Sequence, residues 1–378
     1  MQTSSDYLVK IQGLQLRFYT YDGVVQALDG VDLQIRSGEI LGIVGETGCG
    51  KSVTSLSILG IVPPPGAIEG GKIIFSVEGK EVDLLKQKEG FLRSIRGRDI
   101  SMVFQEPRAY LNPVYSVEDQ IGEVLMVHRK QEFIKRALER LRKERPNKRF
   151  YIRLYEKWAK NPNALSIRFY SKIPLARRFQ KPYKMEIRRE IVNLLKSLGI
   201  ADPERVATMY PHELSGGMAQ RGVIAMSLAC NPKLLICDEP TTNLDVTVQA
   251  QILELIRTLR ESFKSTILYI THDLGVIAEL CERVAVMYAG NVVEVADIME
   301  FFKKPLHPYT SALLASIPRP GSAFRSISGM VPSLINPPTG CRFHDRCLYA
   351  MDTCIVNKPE LVEVDENHFA ACHLYRGR

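Results

Sequence analysis

At 378 residues the chain has room for one large domain with additions, or for two domains. Apolar residues at 45% and charged residues at 24% suit a globular chain with a sizeable core and exclude a disordered polymer. No apolar run approaches the roughly 20 residues that cross a bilayer, and the start MQTSSDYLVK lacks a basic-then-apolar export pattern. A cytosolic chain is expected, with any membrane role supplied by partners. In that reducing compartment the eight cysteines read as thiols or metal ligands rather than disulfides. The net charge of +8 is unevenly spread. Between His128 and Glu190 stand 21 Lys/Arg against 6 Asp/Glu, so this stretch carries +15 and the rest of the chain about −7.

In chain order, residues 8–44 read as strands. Leu8, Ile11, Leu14, Leu16 and Phe18 form a loosely alternating apolar series, and Gly38–Val44 is a buried strand feeding a glycine-rich loop. A helix is predicted from Lys51 to Leu59, stopped by Pro63-Pro64-Pro65. Strand character returns at Lys72–Phe75 and Ile100–Phe104, and the polar, proline-containing stretch Gln105–Gln120 reads as a surface loop. Ile187, Ile191, Leu194 and Leu198 recur at helical spacing. A helix after Gly217, a strand Leu234–Cys237, a helix Val246–Ser262 and a strand Thr266–Ile270 complete an α/β alternation, which favours a mostly parallel sheet covered by helices. After Leu306 a tail rich in Pro and Cys reads as a separate small module.

The loop Gly45-Glu46-Thr47-Gly48-Cys49-Gly50-Lys51-Ser52 fills every position of the phosphate-binding pattern, after a strand and before a helix. Its glycines let backbone N–H groups turn in on phosphates, and the helix adds its positive end. Lys51 would reach the β- and γ-phosphates and Ser52 would ligate Mg²⁺. Asp238 and Glu239 end an apolar strand, which sets two carboxylates at the C-terminal edge of the sheet, where ligands bind in open α/β folds. Ser215-Gly216-Gly217 precedes a helix and is a second anion-binding start.

Phosphate loop, Leu214-Ser215-Gly216-Gly217, Leu234–Glu239 and the downstream His272, in that order, resemble the ATP-binding cassette (ABC) ATPases from about Val9 to Ala296. The resemblance implies an α/β fold: a P-loop ABC ATPase core (mostly parallel sheet with an antiparallel β subdomain) over 1–305, a helical subdomain at about 106–230, and a small Cys-rich module over 306–378. It implies that Asp238 joins Ser52 and Gln105 around Mg²⁺, that Glu239 polarises the attacking water, and that His272 contacts the γ-phosphate. Tyr21, with Tyr19 as rival, would stack on adenine, and Thr54 would join the loop in holding ATP. It further implies head-to-tail dimers in which Ser215, Gly216, Gly217 and Asp245 cover ATP held by the other subunit.

Three runs are similar to one branch, the oligopeptide/dipeptide permease ATPases: Gln105-Glu106-Pro107 with Leu111-Asn112-Pro113, Thr241–Gln249, and Pro305–Thr310 with Leu313-Leu314. Within it the chain looks like the D-type subunit, whose mate is a paralogous F-type ATPase, although a second copy of the chain is also open. The other partners implied are two transmembrane permease subunits and, indirectly, an extracellular solute-binding protein, with the chain peripheral on the cytoplasmic face of the membrane. The departures at Asn243 and Arg108–Tyr110 keep oligosaccharides open beside peptides as the solute.

Cys341, Cys347, Cys354 and Cys372 give C-x₅-C-x₆-C-x₁₇-C, in a tail too small for a good core without a cross-link. The spacing lacks the paired C-x₂-C of common zinc ribbons. Its resemblance to the D-type tail implies a 4Fe–4S cluster held by all four thiolates, with structural zinc, or disulfides or free thiols, as alternatives. The basic insertion, about 128–185, interleaves charge with Phe150, Tyr151, Tyr155, Trp158, Phe169, Tyr170, Phe179 and Tyr183. Three readings stay open: a helical decoration with a solvated face, an arm resting on anionic lipid headgroups, or a nucleic-acid contact. The last would make the chain a nucleic-acid-associated ABC ATPase rather than an importer's ATPase.

Overall fold

The computed structural model describes residues 7–77, 79–144, 147–161, 179–242, 245–317 and 327–375. The chain divides into two compact units, one of residues 1–96, 233–239 and 253–378, the other of 97–232 and 240–252.

The first unit holds two sheets. In one, β1 (Tyr7–Thr20), β2 (Gly23–Arg36), β4 (Gly66–Val77) and β5 (Lys80–Asp83) run antiparallel in the order β2-β1-β4-β5. The uneven apolar spacing of β1 has a local cause. Its pairing with β2 shifts between Ile11 and Leu14, and an extra residue in a strand returns the next side chain to the same face. Val9, Ile11, Leu14 and Leu16 are all buried as a result.

The other sheet sets β3 (Ile40–Val44), β7 (Leu234–Asp238), β8 (Thr266–Ile270) and β9 (Arg283–Tyr288) parallel in the order β9-β3-β8-β7. Every residue of these four strands is buried, which is why they read as continuous apolar runs rather than alternations. β10 (Asn291–Asp297) returns antiparallel to β9. The tail does not stand apart as the sequence suggests. Its strands β11 (Val362–Asp365) and β12 (His368–Ala370) extend this sheet, with β12 antiparallel to β10. A short proline-rich segment cannot build its own core, so it borrows a sheet edge. Arg342 fastens it further, donating to Ala289 O at 2.5 Å and pairing with Asp29 at 3.2 Å.

The second unit is helical around β6 (Ile100–Val103). The expected loop Gln105–Gln120 instead contains a short helix, Pro107–Tyr110, and the start of the helix Val117–His128. Ser116 and Asp119 cap that start reciprocally, so Gln120 sits inside a helix. The basic insertion folds as helices Lys130–Glu144 and Arg149–Lys160 and the beginning of Lys181–Ser197. Phe169 and Tyr170 lie outside the described residues. Of the other interleaved aromatics, Tyr155, Trp158, Phe179 and Tyr183 form a buried cluster, with Trp158 5.4 Å from the Tyr155 and Phe179 rings and 5.0 Å from Tyr183. Tyr155 donates to Phe179 O and accepts from the Tyr183 N–H. These four rings are core and unavailable for stacking on bases, whereas Phe150 is exposed.

Candidate active site

The phosphate loop leaves the parallel sheet at Val44 and enters the helix Lys51–Leu59 through Gly50, which has φ +105 and no capping side chain. Gly45 has φ +150, and a Cβ there would sit 2.1 Å from Met287 O, so no other residue fits. Inside the loop the buried Lys51 donates to Gly45 O at 2.7 Å and Glu46 O at 3.1 Å. Thr54, fully buried, donates its hydroxyl to Gly50 O, bracing the start of the helix rather than facing outward.

Across from the loop stand the carboxylates that end β7. Asp238 hydrogen-bonds the Ser52 hydroxyl, and its pKa lies above the usual carboxylate value, chiefly because it is buried. Its Oδ1 has no hydrogen-bond partner among the described residues. A buried, unsatisfied carboxylate oxygen beside a serine hydroxyl suits a hard divalent cation, which takes oxygen ligands. Ser52 and Asp238 therefore fit Mg²⁺.

Glu239 turns the chain out of the strand at φ +46, with its N–H donating to Ile270 O at 2.9 Å. That turn aims its side chain toward His272, whose Nδ1 lies 3.1 Å from Glu239 Oε1. Asp273 holds the position by capping the helix Leu274–Leu280. The two tyrosines differ sharply. Tyr19 donates its hydroxyl to Glu69, whereas Tyr21, in the turn between β1 and β2, is fully exposed.

In the second unit, Gln105 is exposed just beyond β6. Ser215 caps the helix Gly216–Leu228 by accepting from the Met218 N–H, so the glycines occupy the helix start. Ser215, Gly216, Gly217 and Asp245 line one cleft with Arg205 and Arg221. Asn243 and Leu244 lie outside the described residues. Gln220, not singled out from sequence, is fully buried and donates to Pro240 O at 2.6 Å.

Sequence reasoning also missed what surrounds Glu46. Its N–H donates to the Tyr309 hydroxyl, and its carboxylate pairs with Arg346 of the tail. No local pattern announces a contact between residues 300 apart in sequence.

None of the eight cysteines is in a disulfide. Burial raises the thiol pKa of Cys341 to about 11, and Cys354, Cys372 and Cys347 push it the same way. Cys347 and Cys372 are raised too, by burial first and then by their fellow thiols. The Cys341 N–H donates to Cys354 O at 2.7 Å. The four thiols are thus near neighbours. Among the described residues, however, no three His, Cys, Asp or Glu are gathered as a single metal ion requires. That finding supports neither zinc nor an iron–sulfur cluster over free thiols.

The family described as ABC transporter matches residues 28–242, and the oligopeptide/dipeptide transporter C-terminal region matches 293–354. The chain is 43% identical to a probable peptide ABC transporter ATP-binding protein of Sinorhizobium fredii, over 97% of this chain and 95% of that one. It is 41% identical to the oligopeptide transport ATP-binding protein AppD of Bacillus subtilis, over 97% of each. Its fold matches a dimeric post-hydrolysis ATP-binding cassette, MJ0796 bound to ADP and Pi, with a TM-score of 0.54 at 23% identity, covering 77% of this chain and 98% of that one. No described helix is long and apolar enough to cross a membrane. The chain belongs to the ABC transporter ATPases, as an ATP-binding subunit of the oligopeptide/dipeptide transporter family.

Proposed function

We propose that this subunit hydrolyses ATP at the Lys51–Ser52–Asp238–Glu239–His272 site to power import of peptides through a membrane permease. The observation carrying the mechanism is the Glu239–His272 pair beside a Ser52–Asp238 pair with an unpartnered oxygen. Mg²⁺ held by Ser52 and Asp238, with Gln105 as a further ligand, would neutralise charge on the phosphates. The loop N–H groups and Lys51 bind and orient the triphosphate. Glu239 accepts a hydrogen bond from the attacking water, and His272 fixes the carboxylate's direction while reaching the γ-phosphate. Tyr21, the unengaged ring, stacks on adenine.

Ser215, Gly216, Gly217 and Asp245 cover the nucleotide of a second cassette, and we assign that partner to a paralogous F-type subunit. Closure on ATP and reopening after hydrolysis drive the permease, a ligand-biased two-state change. The peptide solute rests on the relatives named above. The subunit sits on the cytoplasmic face of the membrane, and the charged outer faces of the insertion helices contact anionic lipid. In the tail, Cys341, Cys347, Cys354 and Cys372 would hold a 4Fe–4S cluster through their four thiolates. Its task in this reading is to cross-link the tail.

The test is ATP-dependent peptide uptake by the reconstituted transporter, with wild-type and Glu239→Gln subunits compared. Uptake abolished by Glu239→Gln, with the complex still assembled, is expected. Undiminished turnover in that variant would remove Glu239 from its role.

A further inference from the structure

A carboxylate inside a phosphate-binding loop is an electrostatic problem. Glu46 follows the first glycine of the loop, and its own carbonyl accepts from Lys51. An unneutralised charge there would repel the phosphates that the loop exists to hold. The structure supplies the counter-ion from the far end of the chain. Arg346 donates from Nη1 to Glu46 Oε2 at 2.7 Å and from Nη2 to Oε1 at 3.1 Å, a two-point fork. Its Nε donates to Ser328 O at 2.9 Å, and Nη1 also reaches the Tyr288 hydroxyl at 3.2 Å. The guanidinium lies 5.7 Å from the Tyr288 ring centroid and 5.9 Å from that of Phe343. The Arg346 side chain is only 4% exposed. This is a built socket, not a chance surface pair.

We propose that Arg346 is a positioning residue of the nucleotide site: it neutralises Glu46 and so makes ATP affinity depend on a docked cysteine tail. The inference rests on the ATPase reading and adds to it a route of control. Arg346 directly precedes Cys347, so whatever orders or loosens the four-thiol segment acts on the phosphate loop through one side chain.

The test is equilibrium binding of MgATP to the complete subunit, measured in a Glu239→Gln background so that hydrolysis does not intrude. Arg346→Gln should weaken binding roughly ten-fold, the scale of one lost charge-assisted pair. Adding Glu46→Gln to Arg346→Gln should recover most of that loss, because the repelling carboxylate is gone. Arg346→Lys, which keeps the charge without the fork, should fall between, and it serves if Arg346→Gln does not fold. In the active background, Arg346→Gln should raise KM for ATP while kcat moves less than about two-fold. Unchanged affinity in both Arg346 variants overturns the proposal. So does a double variant as weak as Arg346→Gln alone, which would make Arg346 a purely structural residue. Absence of MgATP binding by the unaltered chain would instead overturn the ATPase reading, and this inference with it.

Discussion

Glu239 and His272 come from the ends of neighbouring parallel strands, β7 and β8, yet their side chains meet at 3.1 Å. The meeting depends on the backbone of Glu239, which takes a left-handed conformation at φ +46 immediately after the last ladder residue, Asp238. Few side chains adopt that conformation freely, and strain of this sort is tolerated where it aims a functional group. Asp238 points toward Ser52 and the next residue toward His272, so two adjacent carboxylates in one strand end take different partners.

Replacing Glu239 by Gln keeps the shape and removes the charge. Turnover should fall by about 10² to 10⁴, the usual contribution of a general base, while nucleotide is still bound. Single-turnover hydrolysis beside equilibrium binding separates the two effects.

Gly45→Ala tests the close approach in the phosphate loop. Its Cβ would lie 2.1 Å from Met287 O at a φ of +150. Strain and overpacking together should cost at least about 2 kcal/mol, visible as a lowered Tm and lost nucleotide binding. Gly48→Ala meets no atom of the described residues within 4 Å and carries only its φ of +80, so its Tm should fall less.

Acid should weaken the first unit through His307. This ring is buried, accepts the Tyr309 N–H on Nδ1, and burial lowers its pKa to about 4. Below the unfolded value near 6.5 the unfolded chain takes up a proton that the folded chain refuses. Stability is therefore full above pH 6.5 and declines as pH falls toward 4, by on the order of 3 kcal/mol over that window. Urea unfolding at stepped pH, compared with a His307→Gln variant, should show a shallower slope in the variant.

Trp158, the sole tryptophan, reports on the insertion. Its burial among Tyr155, Phe179 and Tyr183 predicts blue-shifted emission that aqueous quenchers reach poorly, unchanged when anionic vesicles are added. Lipid contact through charge alone leaves the ring where it is; a red shift on vesicle addition would mean the cluster opens. Trp158→Ala should cost about 3–5 kcal/mol of stability, with loss of helical signal from the insertion.

What could be read in the sequence is what is local. The loop Gly45–Ser52, the strand ending at Asp238 and the helix start at Ser215 each encode their geometry within a few residues. Ser116 and Asp119 are equally readable as a helix start, but Pro107 and Pro113 upstream of them favour a loop. Other features depend on residues far apart. The rings at Tyr155, Trp158 and Phe179 interleave with lysines and arginines in the same way whether they form a core or a stacking surface. Only the packing of three helix segments decides between those. Likewise the partner of Glu46 is set by where a remote tail lies along a sheet edge.

That edge has a consequence for biogenesis. In a chain lacking His368–Ala370, the backbone groups of β10 along that side would have no strand to pair with. A nascent or clipped subunit would thus present an open sheet margin, the kind of surface that recruits chaperones or joins another chain. Arrival of β12 closes the margin and, through the same tail, brings Arg346 to the phosphate loop. Closure of a sheet margin and full affinity for nucleotide are then coupled through one remote segment of the chain.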